Sequence, residues 1–418
     1  MKKTTKYILI FILVVIAGVC LIALDMQRDE ELLPEVKRLF ELAETSTGSD
    51  NEAYLYLMGM DAAPDEDPVE VGRFRLKENE MLADNPEYEV REYSQKEGLS
   101  NLDGDIFCGF RDEECLRNLF TKEIDVDAIY KKHIVYIERG KKFFSYDHFK
   151  TALLTNVMQR FPAYIVVVNY HKLIFLKAVA LHQRGDSQGA IDLLVAEVEA
   201  IRKKLSDDDF LIGKMVYTAT ISQYLNLASL IIGKSDIHIK LSGLSAEELD
   251  FEVLMSLELV FSYGIAKSTE KSLREEMGGG RTGKFLAKSL YKPNMTLNAM
   301  LPLITRAIKL SQLSSQEFIA EINKPIEYDD SFMIKNYVGM TILGMAGQSF
   351  EKYIARIKSL NISISLFNHL YIDKKTAEEF VNPYYPEKTA FKKDGRVCFD
   401  GPFEDELGLK CLLVSDNH

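Results

Sequence analysis

The chain has 418 residues, 47% hydrophobic and 27% charged, with no tryptophan and a formal net charge of −12. That composition is globular, and the length is ample for a substantial core. The acidic balance excludes nucleic-acid binding, because such a surface repels phosphate backbones and, taken as a whole, anionic lipid; the absence of tryptophan argues against a sugar-stacking site, although 20 tyrosines remain.

Residues 7–24 carry no charge; Lys2, Lys3 and Lys6 precede them, and Asp25, Asp29, Glu30 and Glu31 follow. A spanning helix needs roughly 17–25 apolar residues, and the lysines hold the N-terminus on the cytoplasmic side. Cleavage would need small residues before the cut, but Leu21-Ile22-Ala23 opens on leucine; lipidation at Cys20 would need a small residue where Val19 stands. The expectation is an uncleaved signal anchor over residues 1–24. Since the anchor holds three lysines and no acid, the other 394 residues carry a formal charge of −15. Residues 215–232 form a second uncharged stretch, but Thr218, Thr220, Ser222, Gln223, Asn226 and Ser229 suit a buried core helix rather than a lipid-facing one.

Residues 30–44 alternate Leu32, Leu33, Val36, Leu39, Phe40 and Leu42 with charges at helical spacing, which reads as a stalk continuing the anchor. A short helix over 52–60, a loop over 61–68 with Pro64 and Pro68, and a helix from Val69 follow. Residues 97–111 are rich in Gly and Asp, a loop for Cys108 and Cys115 to tie down. From Val126 to about Asn323 the pattern is almost continuously helical, broken at Gly140, with turns at Gly185-Asp186, Ser206-Asp207 and Gly233. Residues 175–201 place Ala178, Gly185-Asp186, Ala190 and Leu193 as a tetratricopeptide helix pair does; with no second copy at the 34-residue period, an isolated αα-hairpin is expected rather than a solenoid. A helix over about 331–359 and a short one near 374–380 come next. Strands are expected only at the end: 389–393 and 396–400 around Asp394-Gly395, a two-residue hairpin signal, with 409–414 beside them.

Outside the anchor the cysteines are Cys108, Cys115, Cys398 and Cys411. An even, locally paired set in an exported chain reads as two disulfides, and of the three connectivities Cys108–Cys115 with Cys398–Cys411 is expected. Neither pair has zinc-ligand spacing or a nearby histidine.

No motif supports catalysis. Residues 278–284 match the first seven positions of a phosphate-binding loop, but Phe285 stands where Ser or Thr must reach magnesium and a helix precedes, so the stretch reads as an inter-helix loop and no nucleotide is assigned, with binding of an anion or of a partner's acidic face as the alternative for this basic, Gly-rich stretch. Asp207, Asp208 and Asp209 read as first-turn acids of a helix. Neither 61–67 nor Asp103-Gly104-Asp105 has a calcium-loop pattern. His133, His148, His171, His182, His238, His369 and His418 are scattered, and Tyr146-Asp147-His148 is the one acid–base candidate.

Several segments together resemble an uncharacterised family of proteobacterial envelope proteins with one N-terminal anchor: residues 53–73, the Cys108/Cys115 loop into Leu116, 185–194, 291–298, 336–340 and Asn382-Pro383-Tyr384. Pro293 with Asn294 or Thr296 reads as a helix entry and its cap, and Asn382-Pro383 as a turn. The resemblance implies a single-pass inner-membrane protein with most of its chain in the periplasm, and it brings no activity and no site residues. The expected architecture is mainly α: a transmembrane helix (1–24), a helical and loop region (25–125), a multi-helix αα-hairpin domain (126–380) and a small C-terminal β element (381–418). No catalytic, cofactor or metal residue is assigned. Binding or scaffolding of another envelope component leads; an anchored hydrolase and a small-ligand binding protein are the alternatives.

Overall fold

The computed structural model describes the backbone of the chain apart from residues 1, 26, 49, 86–87, 110–111, 156–157, 234–236, 238, 327–334, 347–349 and 416–418, and leaves aside the side chains of 2–6, 9, 19–24, 84 and 345–346. It is mainly helical, with a three-stranded antiparallel sheet near the C-terminus. His238 and His418 lie outside the described residues, as does part of the helix expected over 331–359.

Helix α1 (Lys2–Asp25) presents Tyr7, Ile8 and every residue from Ile10 to Val15 and Ile16 at the surface. The expected stalk does not continue it. Residues 27–33 are not helical, and α2 (Pro34–Ser46) starts at Pro34, whose ring fits the first helical position but cannot sit in a helix interior. Helix α3 (Glu52–Met58) is capped by Asn51 and buries Ala53 through Met58. It crosses α4 (Pro68–Asp84) so closely that a Cβ on Gly72 would stand 1.8 Å from the Leu55 carbonyl oxygen.

Helix α5 (Glu113–Leu119) follows the Cys108 loop, and α6 (Val126–Lys132) and α7 (Ile134–Phe144) are separated at His133. Gly140 does not break α7 as expected. It lies buried inside the helix, where its missing side chain makes room for the Tyr170 ring. The described residues of 145–163 are irregular, so the helical run expected from Val126 is interrupted there, and again at the described residues between 237 and 245.

Helices α8 (Tyr164–Gln183), α9 (Ser187–Asp207) and α10 (Leu211–Ile232) pack in succession. The α8–α9 turn uses Gly185 at φ +90° and the Asp186 carboxylate, which accepts from the Gly189 N–H at 2.9 Å. Among the described residues, α8 and α10 are long and apolar enough to cross a membrane, yet 78% and 89% of their apolar windows are buried within the protein. The polar residues of α10 are spent internally. Ser229 contacts the Tyr371 hydroxyl and the Leu413 carbonyl, Asn226 accepts from the Leu413 N–H at 2.9 Å, and Gln223 donates to the Gly109 carbonyl at 2.7 Å.

Helix α11 (Ala246–Leu249) is tied to α9 by the buried Arg202–Glu248 pair, two hydrogen bonds of 2.7 Å each. Then come α12 (Glu252–Glu276), α13 (Gly280–Leu290), α14 (Pro293–Gln312), α15 (Ser315–Ile322), α16 (Tyr337–Ala346) and α17 (Phe350–Tyr371). A short 3-10 turn, Ala377–Glu379, leads to β1 (Phe391–Lys393), β2 (Arg396–Cys398) and β3 (Cys411–Leu413). Asp394 and Gly395, at φ +50° and +69°, form the hairpin turn, with Lys393 opposite Arg396. β2 pairs with β3 so that Cys398 faces Cys411, and the two sulfurs stand at disulfide distance. Cys108 and Cys115 do too, which is the local pairing the spacing suggested.

Candidate functional site

The described residues of the 145–163 segment are irregular but pinned. Asn79, buried on α4, donates its amide to the Arg160 carbonyl at 3.0 Å and accepts from the Arg160 N–H at 2.7 Å. Gln159 donates to the Asn79 carbonyl at 2.8 Å and accepts from the Thr155 N–H at 2.6 Å. From the other side α12 presses on the segment at Gly264, where a Cβ would stand 1.6 Å from the Thr155 carbonyl oxygen.

Held in this way, Leu154 and Phe161 face Phe210, Leu211 and Ile212 at the start of α10 and Leu257, Glu258 and Phe261 of α12, around a pocket of about 200 Å³. The Phe161 ring meets Phe210 at 6.4 Å and Phe261 at 6.3 Å, both edge-on. Phe161 and Ile212 form the mouth, 42% and 48% exposed. Glu258 is the one charged group in the lining, and among the described residues it makes no hydrogen bond and no ion pair. Burial alone pushes its carboxyl up to about 7. A carboxyl in an apolar wall, without a partner, is costly to ionise and free to meet a cation brought from outside.

Beneath the pocket lies a buried polar cluster that shapes its floor. The Asp208 carboxylate is fully enclosed; it accepts from the Phe210 N–H at 2.9 Å and from the Tyr164 hydroxyl at 2.7 Å. Burial pushes it up to about 6, against those hydrogen bonds. Only glycine fits at 213, since a Cβ there would sit 2.2 Å from an Asp208 oxygen. Lys214, also buried, donates to the Leu205 carbonyl at 3.0 Å, and burial lowers its pKa. Asp209 is pushed up to about 7, again by burial. The three aspartates therefore do not occupy a first helical turn as expected. They form the joint between α9 and α10, where Asp208 spends its carboxylate on holding Phe210 and Tyr164 in place.

The acid–base candidate does not assemble. Tyr146 donates to Glu52 at 2.9 Å, while Asp147 and His148 are exposed. His171 is a core residue, bonded through Nδ1 to the Tyr224 hydroxyl at 2.8 Å and pushed down to about 3 by burial. The loop expected over 278–284 is a tight turn and then the first turns of α13. Gly278, Gly279 and Gly280 all have positive φ, and Phe285 is exposed on the helix. Among the described residues no three His, Cys, Asp or Glu side chains gather as a metal site would require.

Two other hollows hold groups that are already engaged. A cavity of about 300 Å³ between α17 and residues 402–410 contains Arg356, paired with Glu406, and Asp405, which accepts from the Leu409 and Lys410 N–H groups at 2.7 Å each. One of about 340 Å³ beside Cys398 and Cys411 holds the Arg396–Glu113 pair. The sequence carried one signal for the Glu258 pocket: an acid interrupting the apolar face of α12 between Leu254 and Phe261. Compared with family models, with curated proteins and with solved structures, the chain matches none.

Proposed function

We propose that the protein is a single-pass envelope protein, anchored by α1 in the inner membrane with its body in the periplasm, which binds another envelope protein by taking one basic side chain into the Glu258 pocket. The observation that carries the binding site is an unpartnered carboxyl inside an aromatic-rimmed pocket of about 200 Å³. Sites that enclose a whole small molecule run to roughly 300–1,000 Å³, so this one suits a single side chain. A lysine or arginine fits it chemically, because its alkyl stem packs on Phe161, Phe210 and Phe261 while its charge meets Glu258. The anchor reading is supported by the run of exposed Tyr, Ile, Phe, Leu and Val side chains on α1, which water would not favour.

The hydrolase reading gains an acid in Glu258, whose carboxyl is partly protonated near neutrality, but no charged group faces it among the described residues to serve as base or nucleophile. The test is photo-crosslinking in intact cells with the reactive group placed at Ile212 of the full-length protein. A discrete adduct that Glu258→Arg abolishes, and that a probe at exposed Lys203 does not form, is the expected result. No adduct from Ile212, together with turnover by the purified protein or a small molecule retained in it, would overturn the reading.

A further inference from the structure

Helix α13 is built inside out for a helix facing water. It packs on α12 through its small residues, Gly283 and Ala287, which are buried; a Cβ on Gly283 would stand 2.6 Å from the Arg274 carbonyl oxygen. Its large apolar residues point away, with Phe285 48%, Leu286 43% and Leu290 39% exposed. Its charges are all of one sign: Arg281, Lys284 and Lys288, none of them in an ion pair among the described residues, and no acid. A helix with exposed Phe and Leu beside unpaired cations has the composition of one lying at a lipid–water boundary.

Its position agrees. Two residues after Leu290 comes Lys292, which lies close enough to Asp25 and Asp29 to feel their charge. Asp25 ends α1 and pairs with Lys335 at 2.7 Å, and α16 begins two residues later with Tyr337, 62% exposed. The C-terminal end of α13, the start of α16 and the end of α1 therefore share one face of the molecule. Tyrosine is enriched at the level of lipid headgroups.

We propose that α13 lies on the surface of the anionic bilayer that α1 spans, with Phe285, Leu286 and Leu290 inserted among the headgroups and Arg281, Lys284 and Lys288 against their phosphates. This rests on the anchor reading of α1. The charge of −15 outside residues 1–24 favours the arrangement, because most of the body is repelled by an anionic surface and this local basic face is the one it attracts.

The test uses the full-length protein in a Cys20→Ala background with an environment-sensitive fluorophore on Leu286→Cys, reconstituted with vesicles of phosphatidylcholine alone or with phosphatidylglycerol added. Flotation reports the anchor and the fluorophore reports α13. The expected result is flotation with both vesicles, and a shift of emission to shorter wavelength with phosphatidylglycerol. High salt and the triple change Arg281→Glu, Lys284→Glu, Lys288→Glu should each remove the shift, while a probe at Lys203→Cys stays aqueous throughout. Flotation with an aqueous signal at position 286 overturns the α13 proposal and leaves the anchor standing. Failure to float with phosphatidylcholine alone overturns the anchor reading, and flotation with the shift only when phosphatidylglycerol is present would mean that α13 binds the surface without the anchor.

Discussion

Glu258 makes the stability of the fold depend on pH in the direction opposite to a salt-bridged carboxylate. Unfolded, it titrates near 4.5; folded, near 7. Below the lower value it is neutral in both states and costs nothing. As pH rises between the two, the unfolded chain releases the proton first, so folding is progressively disfavoured until the loss is complete above the folded value. Glu258→Gln removes that penalty. The variant should match the natural protein at about pH 4.5 and exceed it by about 2 kcal/mol at about pH 8, less than the full shift implies because the pocket mouth admits water. Urea unfolding of both at each pH checks this, and a difference that does not change with pH would mean the carboxyl is not desolvated. Asp208 and Asp209 titrate in the same window, but subtracting the two proteins isolates Glu258 as long as the sites act independently. Little of this is legible in the sequence. An acid on an apolar helix face reads equally as a surface residue, and only the loop folded against it, pinned by Asn79 far away in the chain, turns it into a half-buried one.

At the scale of elements, the local signals that survived are those settled within a few residues. The Gly185-Asp186 turn, Ala178 and Ala190 packed between α8 and α9, and the Asp394-Gly395 hairpin all form where the sequence placed them. What misled were elements completed by distant partners. Helix α14 receives no side-chain cap from its own Lys292, Asn294 or Thr296. Its cap is Asp29, some 265 residues earlier, whose two oxygens accept from the Asn294 and Met295 N–H groups at 3.0 and 3.1 Å. Asn336, in another segment of the envelope-family resemblance, accepts from the Lys292 N–H at 2.8 Å, and Asn382 accepts from the Tyr384 N–H at 2.9 Å. These polar positions are fasteners. Removing one should have the effect of removing a cap: Asp29→Ala should cost about 1 kcal/mol and expose residues 26–33 to protease, while Asp29→Asn keeps an acceptor and most of the stability. Limited proteolysis beside a melting curve separates the two variants; equal cleavage of Asp29→Ala and the natural protein would show that the linker is held by something else.

For the whole molecule, those fasteners set how the body sits relative to α1. Besides the Asp29 cap, Asn294 donates to the Glu30 carbonyl at 2.8 Å, and Asn298 donates to the Glu31 carbonyl at 2.9 Å while accepting from the Leu33 N–H at 3.0 Å. A linker bonded at so many backbone positions is a bracket, and a free tether of the same length would let the body turn. The bracket also fixes the height of the pocket. The Tyr263 hydroxyl comes within 3.5 Å of Asn294 Oδ1, and Glu258 lies five residues earlier on the same helix, about 7–8 Å along its axis. If α1 spans a bilayer as proposed, a partner reaching Glu258 approaches close to that bilayer. Asn294→Ala with Asn298→Ala loosens the bracket while leaving the Asp29 oxygens, α13 and the pocket untouched. The double variant should float with vesicles as the natural protein does, yet lose most of the emission shift at position 286 and most of the adduct formed from Ile212, because both depend on one orientation of the body. Retention of both the emission shift and the adduct would show that the bracket does not set the orientation of the body.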